Sequence, residues 1–279
     1  MNFGYLIIIS KNDEVDYLKL AYALALSIKN TQKPGYDNVA LITDDVQSVK
    51  KLKSPWVFNR VVKWDQEKHW DGRSFMDELT PWDYTVCLDA DMLFVRDYSH
   101  WIDYFVENCE LYVANEAYTY RGERVVDDYY RRAFTRNDLP NLYSFYTFFK
   151  KDSQQAKEFF ELGRYIIKNP EDFKNLYLKN HKPKIVGTDE AFALASKILD
   201  ISDDIAYELD FPKVVHLKPM VQKWPWPADK VSDHVGFYLD LNGQLKIGSY
   251  QQDKIIHYNE KSLVTDEVVS ILEEIAWNK

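Results

Sequence analysis

The chain contains little cysteine and no long apolar run. Only two of its 279 residues are cysteines, Cys87 and Cys109, so neither a disulfide framework nor a cysteine-based metal site is supported. No apolar run approaches the roughly 18–20 residues that are needed to cross a bilayer. The first residues, MNFGYLIIISKND, lack the basic start, long apolar stretch and cleavage site of a signal peptide. We therefore expect no transmembrane segment and a reducing, cytoplasmic location.

Positive charge is scarce relative to negative charge. The formal net charge is −9 and the sequence pI is near 5.2. Nucleic acids and anionic membranes both attract a cationic surface, so this balance argues against a general binder of either, although a local basic pocket for a phosphate is compatible with it. Phosphate loops of the GxxxxGK(S/T) or GxGxxG kind and the G-x-S-x-G motif are absent. We expect no nucleic-acid partner and no nucleophilic triad.

The first third of the chain alternates strand and helix patterns. Residues 5–10 and 39–43 are short apolar runs of the kind buried on both faces of a sheet, and residues 57–64 and 84–88 contain two further strands. Residues 13–29 are predicted as a helix because their apolar side chains form one stripe. This βαβαβ order predicts an α/β fold with a parallel sheet and helices packed on its faces.

The rest of the chain is less regular. Asp44 is predicted to cap a short helix ending near Lys53, Thr188 to cap another helix, and Asn242-Gly243 to form the turn of a hairpin. Aromatic-rich stretches at 115–142 and 218–236, the second with a WPW segment, are predicted to form lids or walls of a binding site. Further strands are predicted at 111–114, 143–149, 214–217 and 254–257, and helices at 153–168, 188–199 and 265–277.

Two carboxylates follow the predicted strand at 84–88, in the segment TVCLDADMLFVRD. Strand side chains two residues apart point the same way, so Asp89 and Asp91 can aim at one spot. Unpaired charge is costly inside an apolar run, and ligands bind beyond the carboxyl ends of strands in open sheets of this type. Hard carboxylate oxygens suit Mg²⁺ or Mn²⁺, and an added histidine favours Mn²⁺. The sequence therefore predicts a divalent-cation site at this strand end.

Candidates for the remaining ligands are histidines at the ends of short apolar strands. His216 stands in KVVHLKP and His257 in KIIHYNEK, and the sequence does not separate the two. Asp189 and Glu190 open a predicted helix, where acidic residues have a capping role as well as a functional one.

Together these motifs resemble the GT-A glycosyltransferases, in particular the family-eight group that includes glycogenin and bacterial galactosyltransferases. The segment IIISKNDEVDYLKLAYALALSIKN is similar to that family's opening strand, turn and helix, where the turn receives the nucleotide base and ribose. The resemblance implies this binding role for Ser10, Asn12 and Tyr17.

The closest match to the family is CLDADMLFVRDYSHWID. In the family both aspartates of this segment bind Mn²⁺ that carries a nucleotide diphosphate, which implies donor and metal binding around Asp89, Ala90 and Asp91. Arg73, in GRSFMDELTPWD, stands roughly where the family has a basic residue that contacts the donor.

Two later segments extend the resemblance. GTDEAFALASKIL is similar to the family's Asp-Gln helix and implies catalytic positions at Asp189 and Glu190. KIIHYNEKS resembles a motif whose histidine is the third metal ligand, which implies His257, with Lys261 as a phosphate contact. His216 stays the alternative ligand, because HLKPMVQKW is a partial match of another kind.

The resemblance implies a GT-A, or nucleotide-diphospho-sugar transferase, fold: a Rossmann-like mixed sheet flanked by helices. We predict one catalytic domain over residues 1–262, with a donor-binding half at about 1–100 and an acceptor-side half at about 101–262, followed by a C-terminal helix at 263–279. The implied activity is Mn²⁺- or Mg²⁺-dependent transfer of a hexose from a nucleotide sugar, a UDP-sugar by preference, to a carbohydrate or other hydroxyl acceptor with retention.

Two other interpretations stay open. The family's Asn-Ser-Gly appears here as Tyr143-Ser144-Phe145 and its Lys-Pro-Trp is missing after His257, which suits a non-catalytic nucleotide-sugar or carbohydrate binder. Haloacid-dehalogenase phosphatases also place D-x-D after a buried strand and use the first aspartate as nucleophile, but on the first strand of the sheet. Acceptor, donor sugar and oligomeric state are not predicted.

Overall fold

The computed structural model describes residues 1–125, 131–206, 212–224 and 229–278. Pro225 and Trp226 of the predicted WPW segment, and parts of the two predicted lid stretches, lie outside these residues. The strands are β1 Phe3–Ile9, β2 Val39–Thr43, β3 Arg60–Lys63, β4 Tyr84–Leu88, β5 Met92–Leu93, β6 Leu111–Ala114, β7 Tyr143–Lys150, β8 Val214–Leu217, β9 Phe237–Leu239, β10 Leu245–Ile247, β11 Tyr250–Gln251 and β12 Ile255–Tyr258.

Helices alternate with the early strands and dominate two later stretches of the chain. They are α1 Tyr17–Thr31, α2 Val46–Val49, α3 Met76–Leu79, α4 Ser99–Asn108, α5 Arg132–Asn137, α6 Gln154–Lys168, α7 Pro170–Tyr177, α8 Thr188–Ile198, α9 Ser202–Ile205 and α10 Asp266–Trp277. Short 3₁₀ turns lie at Pro55–Val57, Gly72–Phe75, Pro219–Val221, Val231–Asp233 and Lys261–Leu263. No helix within the described ranges is both long and apolar enough to cross a membrane.

The central sheet has six strands in the order β3-β2-β1-β4-β7-β6. The first four are parallel, as the βαβαβ pattern predicted, and β7 runs antiparallel to both β4 and β6. Apolar side chains of α1, α4 and α10 pack on one face of the sheet, and those of α6 and α8 pack on the other. The predicted α/β architecture with a mixed sheet between helices is therefore confirmed.

A second, three-stranded sheet extends from the carboxyl end of β4. Its order is β5-β12-β8, with β12 antiparallel to β5 and parallel to β8. The register pairs His257 with both Met92 and His216. This small sheet brings residues from three distant parts of the chain to the end of the central strand.

Most predicted elements are present, and two predicted caps are wrong by one residue. Asp45, not Asp44, caps α2 by accepting a hydrogen bond from the Ser48 amide, while Asp44 accepts one from the Lys11 amide instead. α2 also ends at Val49 and not near Lys53, and a 3₁₀ turn at Pro55–Val57 follows before β3. Gly187, not Thr188, is the N-cap of α8.

The hairpin and the C-terminal helix form as predicted. Gly243 has a φ of +76° between β9 and β10, a conformation that glycine adopts without steric cost. Thr265 caps α10, and this helix packs against α1, where the Tyr22 hydroxyl donates a 2.7 Å hydrogen bond to Glu273. The division of the chain into donor and acceptor halves stays a prediction.

Gly4 in β1 is predicted to tolerate no larger residue. A Cβ at this position would lie 2.5 Å from the Trp82 ring, which is buried and donates a hydrogen bond to the Tyr5 carbonyl. We expect Gly4→Ala to lower the free energy of unfolding by about 1–3 kcal/mol, as overpacking does, measured by urea denaturation. Gly236→Ala is the matched control, because its Cβ would meet the ring of Tyr238, which is 64% exposed and can move. Equal losses in both variants would contradict this account.

Candidate active site

The Asp89–Asp91 segment is a turn at the carboxyl end of β4, held by backbone hydrogen bonds to two neighbouring strands. The Asp89 amide donates to the Phe145 carbonyl of β7, and the Asp91 carbonyl accepts from the Tyr258 amide of β12. Ala90 is buried between the two acids. The backbone therefore fixes where both carboxylates point, and both line a cavity of about 400 Å³.

His257 completes a group of three possible metal ligands. Its Nε2 lies 3.5 Å from Asp89 Oδ2 and 3.4 Å from Asp91 Oδ2, and the three ligand atoms all lie within 4.8 Å of one another. Two carboxylate oxygens and one imidazole nitrogen are a donor set that suits Mn²⁺, and Mg²⁺ accepts the carboxylates. The residues therefore fit a divalent cation.

His216 lies behind His257 and is not one of this group. Its Nδ1 is 3.1 Å from Nδ1 of His257, and its ring stacks on Phe145 with an angle of 25° between the planes. Burial lowers the pKa of His216 well below its usual value, and the nearby His257 and Lys218 lower it further. Among the described residues, His257 belongs to the group of possible ligands and His216 does not, and the choice of His257 as metal ligand stays a prediction.

Two cations contact the two carboxylates directly. Arg73, on the Gly72–Phe75 turn, pairs with Asp89, and Lys261 pairs with Asp91. Burial would raise the pKa of Asp91, but His257 and Lys261 lower it below its usual value. Burial would lower the pKa of Arg73, but Asp89 raises it. The site therefore has two carboxylates that can hold a cation, and beside them Arg73 and Lys261, which can bind an anionic group.

Asp189 lies in the same cavity, at the start of α8, with both oxygens engaged. Oδ1 accepts from the Ser144 amide at 2.9 Å and from the Ser144 hydroxyl at 2.7 Å, and Oδ2 accepts from Arg131 at 2.8 Å. Burial would raise the pKa of Asp189, but Arg131 and Ser144 lower it. Asp189 is therefore held as an anion. Ser144 also accepts from Arg73 at 3.1 Å, which joins Asp189 to Asp89 through side chains.

Glu190 lines the cavity beside Asp189 but is used in the helix cap. Its Oε2 accepts a 3.1 Å hydrogen bond from the Gly187 amide. Burial and the neighbouring Asp189 raise its pKa. Glu190 therefore caps α8, as one of its two predicted roles required, and it also lines the cavity.

The three predicted base and ribose contacts lie around an adjoining cavity. Ser10, Asn12 and Tyr17 line it together with the loop before α1 and the start of α2, and Tyr17 lines both cavities. The Asn12 side-chain oxygen accepts from the amides of Glu14 and Val15, at 2.8 and 2.9 Å, so it shapes the turn. Tyr17 is thus part of the wall of both cavities.

Several residues of the site were not predicted from the sequence. Arg131 and Lys218 carry charge close to Asp189, and Asn259 lies between His257 and Lys261 along the chain. A signal for Lys218 existed in the HLKP segment, and one for Ser144 in the altered Asn-Ser-Gly segment. Arg131 had no such signal, because its role depends on how α5 packs beside β7 and α8.

No protein-family model and no curated protein sequence matches this chain. Among solved structures, the chain is similar to the apo form of mouse xyloside xylosyltransferase 1, with a TM-score of 0.57 and 13% sequence identity, over 93% of this chain and 98% of that one. The chain has a glycosyltransferase fold. This likeness supports the GT-A-like architecture, and it does not single out family eight.

Proposed function

We propose that the chain is a metal-dependent glycosyltransferase that moves a hexose from a nucleoside-diphosphate sugar, a UDP-sugar by preference, to a hydroxyl acceptor. The observation that carries the proposal is the Asp89, Asp91 and His257 group, which has cationic side chains on both sides and lies at the carboxyl edge of a glycosyltransferase fold. A cavity with both fixed anions and fixed cations suits a diphosphate that arrives with a divalent cation.

The proposed donor lies across the two adjoining cavities. Ser10, Asn12 and Tyr17 would take the base and ribose, and Tyr17 lines both cavities. Asp89, Asp91 and His257 would hold Mn²⁺ or Mg²⁺, which as a Lewis acid neutralises charge on a departing diphosphate. Arg73 and Lys261 are cations fixed beside that place and would bind the phosphate oxygens.

The hydrogen bonds of Asp189 and Glu190 bear on how the acceptor loses its proton during transfer. The bond from the anomeric carbon to the diphosphate oxygen breaks, the bond to the acceptor oxygen forms, and the acceptor proton must leave. Both oxygens of Asp189 already accept hydrogen bonds, and Glu190 caps α8. Transfer of that proton to the departing diphosphate, with retention, is consistent with this arrangement. Asp189 then holds Ser144 and Arg131 in place and faces the reacting sugar as an anion.

His216 is proposed to orient His257. A ring nitrogen that ligates a cation must offer its lone pair, so His257 would use Nε2 and carry its proton on Nδ1. That proton would be donated to Nδ1 of His216, 3.1 Å away. Ligating histidines commonly need such a partner on the other nitrogen.

The most direct test of donor binding is calorimetric titration of the protein with UDP, with and without Mn²⁺. We expect UDP to bind with Mn²⁺ and to bind much more weakly with EDTA. Equal UDP binding in EDTA would contradict the proposed metal site. Binding of UDP with no turnover of any sugar nucleotide would favour the non-catalytic alternative.

Lys261 is predicted to recognise the diphosphate group. At saturating Mn²⁺ we expect Lys261→Met to weaken UDP binding about tenfold or more, because a charge-assisted contact is lost, and to weaken UMP binding less. Lys254→Met is the control, since Lys254 pairs with Asp253 instead of facing the cavity. Equal losses for UDP and UMP would contradict the assigned role.

A further inference from the structure

One surface of this acidic chain is basic and apolar at the same time. Residues 173–187, FKNLYLKNHKPKIVG, contain four lysines and no aspartate or glutamate, whereas the whole chain has a net charge of −9. On the same segment Ile185 is 81% exposed, Leu176 62% and Tyr177 41%. We name the surface formed by these apolar residues together with Arg136, Lys179, Lys182 and Lys184 the basic–apolar patch.

Buried side chains and hydrogen bonds hold the segment that carries the basic–apolar patch in place. Phe173 and Val186 are buried near the two ends of the segment and Leu178 is buried between them, and Tyr177 stacks on Phe173 with an angle of 15° between the rings. The Asn180 side chain donates to the Arg136 carbonyl at 2.8 Å, which joins the segment to the end of α5. Hydrogen bonds from Lys182 to the Asn175 side chain at 2.8 Å and from Lys174 to the Lys184 carbonyl at 3.2 Å hold residues 182–184 beside α7.

Three lysines of the basic–apolar patch have no carboxylate partner within the described ranges, although Glu171 and Asp172 lie in the first turn of α7. Lys174 pairs with Glu171, but within the described ranges Lys179, Lys182 and Lys184 form no ion pair with a carboxylate. Lys182 donates to the neutral Asn175 side chain instead. Three neighbouring lysines without carboxylate partners attract an anionic surface at short range.

The basic–apolar patch also adjoins the active-site cavity. Val186 is followed directly by Gly187, Thr188, Asp189 and Glu190, which line the cavity. Arg131, next to α5 in the chain, binds Asp189. The segment that carries the basic–apolar patch therefore continues directly into one wall of the cavity.

We propose that the basic–apolar patch docks on the surface of an anionic lipid bilayer. Lysines at a bilayer surface are attracted by anionic headgroups, and exposed aliphatic and aromatic side chains enter the headgroup region. A soluble polyanion would use the lysines alone and leave Ile185, Leu176 and Tyr177 in water. The combination of exposed lysines and exposed apolar side chains in one short segment, whose residues 182–184 lie beside α7, favours the bilayer.

Because the rest of the chain is acidic, we expect only the basic–apolar patch to face the bilayer, which fixes the orientation of the bound protein. Charges separated by more than about 8–10 Å are screened at physiological salt, so the acidic remainder of the surface acts weakly when the patch faces the bilayer. The docking does not depend on the proposed transfer reaction, because the residues of the patch do not line the active-site cavity. Its failure and the failure of the proposed function are therefore separate results.

The test is co-sedimentation of the full chain with vesicles of phosphatidylcholine alone or mixed with phosphatidylglycerol. We expect binding to the mixed vesicles only. Lys179→Glu/Lys182→Glu should lower the apparent affinity for them at least about tenfold, because two attractive charges are reversed. Leu176→Ser/Ile185→Ser should also weaken binding, at unchanged charge.

Two control variants make the same kinds of substitution outside the basic–apolar patch. Lys50→Glu/Lys246→Glu and Leu241→Ser change exposed residues outside the basic–apolar patch and should leave vesicle binding unchanged. Absence of binding to the mixed vesicles would overturn the proposal. An effect of the lysine pair without any effect of the apolar pair, with binding abolished by soluble polyglutamate, would overturn it in favour of a soluble acidic partner.

Discussion

Replacing Asp91 with asparagine is expected to abolish Mn²⁺-dependent sugar transfer while leaving the fold intact. The change keeps the shape of the side chain but removes the negative charge that faces His257 and Lys261. Loss of an outer partner of a metal ligand already costs about 10–100-fold, so loss of the ligand itself should lower turnover by at least about 100-fold. The measurement is release of nucleoside diphosphate from a sugar nucleotide, together with the Kd for Mn²⁺.

The matched control for this variant is Asp152→Asn, which removes an exposed carboxylate away from the cavity. It should have the turnover and Mn²⁺ affinity of the unmodified chain. The melting temperature of both variants shows whether the fold is retained. Unchanged turnover in Asp91→Asn, in the presence or absence of EDTA, would contradict the assignment of this residue as a ligand.

Removing the imidazole of His216 is expected to lower the affinity for Mn²⁺ about 10–100-fold, although this residue is not assigned as a ligand. His216→Phe keeps a ring that can stack on Phe145 but cannot accept a proton from His257 Nδ1. The His257 ring would then be free to adopt orientations in which Nε2 no longer faces the carboxylates. Calorimetric titration with Mn²⁺ in the presence of UDP measures the loss.

A conservative variant distinguishes orientation from packing. In His216→Asn the amide oxygen can take the place of Nδ1, so we expect much of the Mn²⁺ affinity to return even though the side chain is smaller. A purely structural role would give the opposite order, with the phenylalanine variant closer to the unmodified chain. Equal Mn²⁺ affinity in all three proteins would show that His216 has no orienting role.

The elements that carry the site could be predicted because their sequence signals are local. β2 and β4 were predicted at their observed bounds, since each is a short apolar run with polar residues at its end. The position of Asp89 and Asp91 followed from the end of β4 alone. Caps could not be predicted to the exact residue, because adjacent residues such as Asp44 and Asp45 both offer a carboxylate and only the chain path decides which one caps α2.

The contacts that complete the site depend on tertiary structure and had weaker signals. His216 and His257 end similar apolar strands, and only the pairing of β12 with both β5 and β8 places His257 against the carboxylates. Arg131 reaches Asp189 across 58 positions of the chain. A local pattern contains no information about which helix packs beside α8, so this ion pair could not be predicted.

Metal-dependent sugar transfer is measured by incubating the full chain with a panel of nucleoside-diphosphate sugars, in Mn²⁺ and after chelation with EDTA. We expect at least one sugar nucleotide, a UDP-hexose by preference, to be consumed with release of the nucleoside diphosphate. This turnover should disappear with EDTA, return when Mn²⁺ is added back, and be absent in Asp91→Asn. Turnover that is indifferent to EDTA, or binding of UDP without consumption of any donor in the panel, would contradict the account.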